Sequence, residues 1–136
     1  MKVIRFLTEL WLLIHEIHYR VEALRDLRRG ETDILEIFGD YEDDSYGDTP
    51  YQQQLSLTFA EEDRLAKDVE RFVEQYRKTQ ELIDSLEDPT ERLALGYRHI
   101  LCWDWEKIAA ELQYSPKELQ DVYQDAVLHA EKKYQT

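Results

Sequence analysis

The segment at residues 104–119 reads DWEKIAAELQYSPKEL, and it decides the predicted fold. Ile108, Ala109 and Leu112 lie at helical spacing, and this pattern stops at residues 113–115 before a new apolar period begins. The new period consists of Leu119, Val122, Tyr123, Ala126 and Ala130. Two helices joined by a turn of three residues are typical of a helix-turn-helix motif.

The second helix of this motif has a well-defined predicted start. Ser115 can act as the N-cap, and Pro116 suits the first helical position. Glu118 stands where a capping box places its carboxylate. These three residues together predict that the second helix begins at Ser115.

A further capping signal lies at residues 88–91, which read DPTE. It predicts a helix from Pro89 to about Leu101 that buries Leu93, Tyr97 and Ile100. A helix starting at Trp103-Asp104 and the helix starting at Ser115 follow it. Residues 88–136 are therefore predicted to form a three-helix lobe.

Two heptad patterns of apolar residues precede this lobe. The first, on a helix from about Lys2 to Arg29, consists of Leu7, Leu10, Ile14, Ile17, Val21 and Leu24. The second consists of Leu65, Val69, Phe72, Tyr76, Thr79, Ile83 and Leu86. The predicted fold class is all-α: a long antiparallel helical hairpin over residues 1–87, with an acidic loop at about 38–56, and then the helix-turn-helix lobe.

The first helix is apolar beyond a single heptad pattern. Val3, Ile4, Phe6, Trp11 and Leu13 lie outside that pattern. This surplus predicts that the helix packs on the C-terminal lobe or on a second copy of the chain, as a homodimer would.

Composition limits the class of protein. The 136 residues include 43% hydrophobic side chains, four glycines and three prolines, which favour a helical, globular chain. Cys102 is the single cysteine, so no internal disulfide forms. Lys2 and Arg5 before an apolar run resemble a secretion signal, but Glu9 interrupts the run. We therefore expect a cytoplasmic protein, within a host cell, that does not enter a membrane.

Acidic side chains are concentrated in the middle of the chain. The net charge is −13, and residues 31–90 carry eighteen acidic and five basic side chains. An acidic surface suits a basic partner, although the same charge also fits a solvated surface that only aids solubility. The candidate partner-binding residues are Asp40, Glu42, Asp43, Asp44, Asp48, Glu61, Glu62, Asp63, Asp68, Glu70, Asp121 and Asp125.

The second helix of the motif has an unusual charge for a DNA reader. Its expected outward positions are Lys117, Glu118, Gln120, Asp121, Gln124 and Asp125. A carboxylate held against DNA meets phosphate repulsion and forfeits the free energy of counterion release. Direct binding to DNA is therefore expected to be poor.

The C-terminal part of the chain resembles a family of small phage proteins. The resemblance rests on residues 92–98 (RLALGYR), 105–112 (WEKIAAEL), 114–115 and 126–127, and the helical hairpin is similar as well. The family is related to the last domain of sigma factors and includes the ArpU-like and RinA-like phage transcriptional regulators. The resemblance implies a reading helix at residues 116–134, with basic side chains near positions 121 and 125, where this chain has Asp121 and Asp125.

Several residues remain as alternative DNA contacts under this resemblance. They are Lys117, Gln120, Gln124, Arg98 and Lys107, with Lys132 and Lys133 as further cations. If they act as the family's residues do, the protein is a transcriptional regulator that binds DNA or RNA polymerase.

No motif for catalysis is present in the sequence. His15, His18 and Glu22 lie on one helical face, but no second group completes a metal shell. No motif joins the carboxylates to a nucleophile, a glycine-rich phosphate loop or a cysteine pair, so we expect no enzyme, cofactor or metal.

Two functional hypotheses follow. The first is a phage-encoded inhibitor whose acidic surface mimics a nucleic acid and blocks a basic channel of a host protein. A CRISPR effector nuclease or RNA polymerase is the expected target, which would make the protein an anti-CRISPR-type inhibitor or a polymerase inhibitor. The second is the helix-turn-helix transcriptional regulator.

Overall fold

The computed structural model describes the backbone of residues 2–38 and 50–135, and the side chains of residues 2–30 and 50–135. Within these ranges the elements are helices: α1 (Lys2–Phe38), α2 (Pro50–Asp84), α3 (Pro89–Leu95), a π-helical turn (Gly96–Ile100), α4 (Trp105–Leu112) and α5 (Pro116–Gln135). No strand occurs in the described ranges. The predicted all-α class is therefore confirmed.

The two long helices extend further than the heptad patterns predicted. α1 continues past Arg29 to Phe38, and α2 already begins at Pro50. The predicted loop at 38–56 is therefore wrong for residues 50–56. Pro50 is compatible with the first helical turn, and the Ser56 hydroxyl donates to the carbonyl of Gln52, one turn earlier, at 3.1 Å. Five predicted acidic residues, Asp40, Glu42, Asp43, Asp44 and Asp48, lie outside the described residues.

The chain divides into two compact units. The first comprises Met1–Ile14 and Arg71–Thr136, and the second comprises His15–Glu70. This grouping differs from the predicted division between residues 87 and 88. The reason is that the start of α1 contributes Val3 and Leu7 to the same buried cluster as residues of α5.

The first unit has two apolar clusters. The larger contains Val3, Leu7, Ile83, Leu86, Leu95, Ala126, Val127 and Ala130. The smaller contains Ala94, Ile108, Ala109 and Leu119. Ala126 and Ala130 lie one turn apart on α5 and have no exposed surface, so their small side chains allow close approach of neighbouring helices.

Within the first unit, α1 and α2 run antiparallel. The Gln75 amide donates to the carbonyl of Phe6 at 3.1 Å, and the Arg71 guanidinium lies 4.0 Å from the Glu9 carboxylate. In these two contacts the residue number on α2 decreases as the residue number on α1 increases, as expected for antiparallel helices.

The buried face of α3 differs from the prediction. Leu93 is 46% exposed, while Tyr97 and Ile100 are partly buried. The buried positions are instead Glu91, Ala94, Leu95 and His99. Glu91 is accommodated because its carboxylate lies 2.5 Å from Nδ1 of His129 on α5. The contact with His129 therefore allows Glu91 to be buried, whereas the apolar pattern had predicted burial of Leu93.

Ion pairs join α1 and α2 within the described part of the second unit. Arg20 Nε binds Asp68 at 3.0 Å and Nη1 approaches Glu61 at 3.4 Å, and both carboxylates are buried. Val21 and Val69, which the heptad patterns predicted to be buried, are 36% and 41% exposed. The expected apolar contact between the helices is therefore replaced in part by a buried ion pair.

Truncating Ile108 tests the smaller cluster. Ile108 has no exposed surface, so Ile108→Ala should remove its packing and leave a cavity. We expect a loss of about 2–5 kcal/mol in the free energy of unfolding, measured by urea denaturation. Leu128→Ala is the control, because Leu128 is 48% exposed, and should change stability by about 0.5 kcal/mol or less. Equal losses in the two variants would contradict the assignment of this core.

Candidate functional site

Side-chain caps and one left-handed residue fix the turn between α4 and α5. Asp104 caps α4 by accepting the backbone N–H of Lys107 at 2.8 Å. Gln113 ends α4 in the left-handed conformation, with φ 57° and ψ 42°. Ser115 Oγ then accepts the backbone N–H of Glu118 at 3.1 Å. The predicted N-cap at Ser115 is confirmed, and α4 begins next to the predicted start at Trp103-Asp104. These caps position the exposed side of α5.

Three carboxylates share one face of α5, and we name them the acidic stripe: Glu118, Asp121 and Asp125. Their spacing of three and four residues places them on the same side of the helix. All three are exposed, and none makes an ion pair or a side-chain hydrogen bond within the described part of the chain. The acidic stripe is therefore not neutralised by any ion pair with the described side chains.

The polar residues proposed as alternative DNA contacts on α5 are exposed as well. Lys117, Gln120 and Gln124 all lie at the surface of this helix. They contribute one positive charge, whereas the acidic stripe contributes three negative charges.

The other two predicted phosphate contacts are engaged with tryptophans. The Arg98 guanidinium carbon lies 4.5 Å from the ring centroid of Trp105, and Arg98 Nη1 donates to the carbonyl of Trp103 at 2.9 Å. Lys107 Nζ lies 4.1 Å from the ring centroid of Trp103, and that ring also stacks on Tyr97 with centroids 4.5 Å apart. Both cations therefore support aromatic packing in this lobe.

Two of the predicted partner-binding carboxylates on α2 are buried within the second unit. Glu61 and Asp68 are each 6% exposed and bind Arg20. The hydrogen bond to Asp68 is the main cause that raises the pKa of Arg20 above its ordinary value. Because a buried carboxylate is stable only with such a partner, Glu61 and Asp68 are structural residues, and their assignment to a partner-binding surface is corrected.

The remaining predicted carboxylates of α2 lie at the surface. Glu62 pairs with Arg28 at 3.0 Å, and Asp63 pairs with Lys67 at 3.0 Å. Glu70 is exposed. The acids of α2 therefore do not form one continuous free surface, unlike the acidic stripe.

A buried histidine lies behind α5. His99, in the π-helical turn, shares a hydrogen bond of 2.9 Å between its Nε2 and the Tyr123 hydroxyl. Burial, together with the neighbouring Arg98 charge, lowers the pKa of His99 to about 4. Burial likewise raises the pKa of the Cys102 thiol, so this cysteine holds little reactive thiolate at neutral pH.

An open groove lies between α4 and α5, and we name it the α4–α5 groove. Its volume is about 380 Å³. It is lined by Trp105, Glu106, Ala109, Pro116, Leu119, Gln120 and Tyr123. The rings of Trp105 and Tyr123 meet edge to face, with centroids 4.8 Å apart and planes at 80°. The groove was not predicted, because its lining residues come from separated positions on two helices.

Within the described ranges, no group of histidine, cysteine or acidic residues is arranged to hold a metal ion. None of the described helices has an apolar stretch of the length and purity that a bilayer crossing requires.

No family model, curated protein or solved structure matches this chain. The relation to phage sigma-like regulators therefore stays a prediction drawn from the residues.

The buried His99 predicts a pH dependence of stability. Between about pH 6.5 and 4, the unfolded chain binds a proton at this histidine while the folded chain does not, so stability falls as the pH falls. The loss should approach about 3 kcal/mol, since each pKa unit corresponds to ~1.4 kcal/mol. We expect His99→Gln to reduce this slope, measured by urea denaturation across the window. The exposed control His18→Gln should retain the slope, and identical slopes in all three proteins would contradict this role of His99.

Proposed function

We propose that this is a non-enzymatic binding protein that places the acidic stripe of α5 against a basic nucleic-acid-binding channel of another protein. The observation that carries the proposal is the uncompensated charge of Glu118, Asp121 and Asp125 on the outward face of the second helix of the motif.

The position of the acidic stripe supports this proposal. In helix-turn-helix proteins that read DNA, the outward residues near the start of the second helix enter the major groove. Negative charge at that position repels phosphates, but it complements a channel lined with lysine and arginine. The acidic stripe is therefore better suited to contact a nucleic-acid-binding protein than to contact a nucleic acid.

The spacing of the charges also supports mimicry of a nucleic acid. Glu118 and Asp125 are separated by seven residues, which is a rise of about 10 Å along a helix. A single DNA strand carries one charge per ~3.4 Å of axis, or about three charges over a comparable length. The acidic stripe therefore approaches the charge density of one strand.

The resemblance described above supports a phage origin for the protein and a host target for its action in the cytoplasm. We propose a CRISPR effector nuclease as the first target and RNA polymerase as the second. Both bind nucleic acid in basic channels, where long-range attraction would accelerate association at low salt.

The exposed apolar side chains of α1 support a homodimer as part of this proposal. In the first unit, Ile4, Trp11 and Leu12 are 42%, 45% and 46% exposed. Their spacing places Ile4 and Trp11 on one side of the helix, where a second copy of α1 could cover them.

A transcriptional regulator is the second candidate, and the exposure of Lys117, Gln120 and Gln124 favours it. Glutamine can form a bidentate hydrogen bond with adenine, and lysine can contact guanine or phosphate. This candidate requires that these three residues outweigh the repulsion of the acidic stripe.

Competition on an isolated target tests the first candidate. The protein should displace a labelled nucleic acid from a purified CRISPR effector nuclease or from RNA polymerase. Glu118→Gln, Asp121→Asn and Asp125→Asn together should weaken this competition by about tenfold, as the loss of three screened charge pairs predicts.

The matched control also removes three negative charges. It combines Asp26→Asn, Glu87→Gln and Glu111→Gln, whose side chains are exposed and lie outside the acidic stripe. It should compete almost as well as the unmodified protein. Equal weakening by both triple variants would mean that competition depends on net charge and not on the acidic stripe, which would contradict the proposal. Simultaneous binding of the protein and the nucleic acid to the target would also overturn it.

Direct DNA binding separates the two candidates. We expect no measurable duplex binding by the unmodified protein at physiological salt. Asp121→Arg with Asp125→Arg should produce weak binding, whose log affinity falls with log salt at a slope of about −0.9 for each phosphate that the new arginines neutralise. A gel shift that detects tight, sequence-specific binding by the unmodified protein would instead support the regulator.

A further inference from the structure

The α4–α5 groove has the size of a site for one large side chain. Its volume of about 380 Å³ lies near the lower end of the ~300–1,000 Å³ typical of ligand sites. Ala109, Pro116 and Leu119 provide apolar walls, and Leu119 is almost fully buried. These walls suit an aliphatic stem.

Two aromatic rings border the groove. Trp105 is 41% exposed and meets the partly buried Tyr123 nearly at a right angle. Trp105 already contacts one guanidinium, that of Arg98, at 4.5 Å. This contact occupies part of the indole, so a second guanidinium would use the exposed surface of the ring that Arg98 leaves open and would depend on a carboxylate to offset the Arg98 charge.

The charge of the groove is also suited to a cation. Glu106 lines it, is exposed, and makes no ion pair or side-chain hydrogen bond among the described residues. Gln120 adds an uncharged polar group, and no basic side chain is among the described lining residues. An apolar occupant would partly desolvate the Glu106 carboxylate without giving it a partner, which is unfavourable.

We infer that the α4–α5 groove binds one arginine side chain of the partner protein. The stem of arginine fits the apolar walls, and its guanidinium can contact an aromatic ring and a carboxylate together. Lysine is less suitable, because its ammonium is more strongly hydrated. The inference rests on the proposed function, because a basic channel supplies the arginine.

The occupant is an arginine within a polypeptide rather than the free amino acid. A free arginine would bring a charged α-ammonium and a charged α-carboxylate, and both would lose hydration against the apolar walls of the groove. An internal residue of a peptide brings only the cationic side chain.

A titration with short peptides tests this inference. The probe is acetyl-Gly-Gly-Arg-Gly-Gly-amide, and two matched peptides carry citrulline or leucine in place of arginine. Nuclear magnetic resonance follows the indole Nε1–H signal of Trp105, which is assigned with a Trp105→Phe variant. The arginine peptide should shift this signal and bind about three to five times more tightly than either matched peptide, as one partly exposed charge pair predicts.

Two variants locate the charge that is recognised. Glu106→Gln should weaken binding of the arginine peptide by about three- to fivefold, and binding of the citrulline peptide should be unchanged. Glu111→Gln is the control, because Glu111 is an exposed acid of the same helix that does not line the groove. Free arginine should bind more weakly than the arginine peptide.

Several outcomes would overturn the inference. They are tighter binding of the leucine peptide, equal binding of free arginine, no shift at Trp105, or shifts confined to the acidic stripe. The stripe variant with Glu118→Gln, Asp121→Asn and Asp125→Asn should still bind the arginine peptide in the groove. Failure of the groove would therefore be seen in the peptide titration, whereas failure of the proposed function would be seen in competition with nucleic acid.

Discussion

The burial of Ala126 and Ala130 is the constraint on which the surface of α5 depends. Both residues have no exposed area, and the larger apolar cluster packs around them with Val3, Leu7 and Leu95. A helix rotates by about 100° per residue, so fixing these two positions fixes the direction of every other side chain of α5. The core therefore determines that the acidic stripe lies in solvent. A larger side chain at either alanine would separate the helices and disturb both surfaces at once.

The acids of this protein have different physical roles, although they contribute equally to its net charge. Glu61 and Asp68 are buried and both pair with Arg20, and Glu61 also pairs with Arg64, so they contribute to the structure of the second unit. The acidic stripe has no such partner among the described residues. Long-range attraction of a basic molecule depends on the uncompensated charges. A net charge of −13 alone therefore says little about where a partner would bind.

The features that could be predicted from the sequence are those determined by neighbouring residues. The N-caps at Asp88 and Ser115 were found correctly, because a cap involves a side chain and a backbone N–H only two or three residues away. The predicted burial of Leu93 was wrong, and Glu91 takes a buried position instead because it pairs with His129, which is 38 residues distant. Asp68 was likewise assigned to a free surface because its partner Arg20 is 48 residues away. The α4–α5 groove could not be predicted for the same reason, since it requires the packing of two helices.

The cations of the lobe lead to the same interpretation as its acids. Arg98 lies against the ring of Trp105, and Lys107 lies against the ring of Trp103. These cation–π contacts favour side-chain orientations in which both cations face the tryptophans. Using either cation for a phosphate would require breaking an aromatic contact or sharing its charge. The acidic stripe repels phosphates, and the loss of the cation–π contacts would cost free energy. These two effects arise from different residues, and both disfavour binding to DNA. Together they support the proposed function, in which the acidic stripe contacts a basic partner.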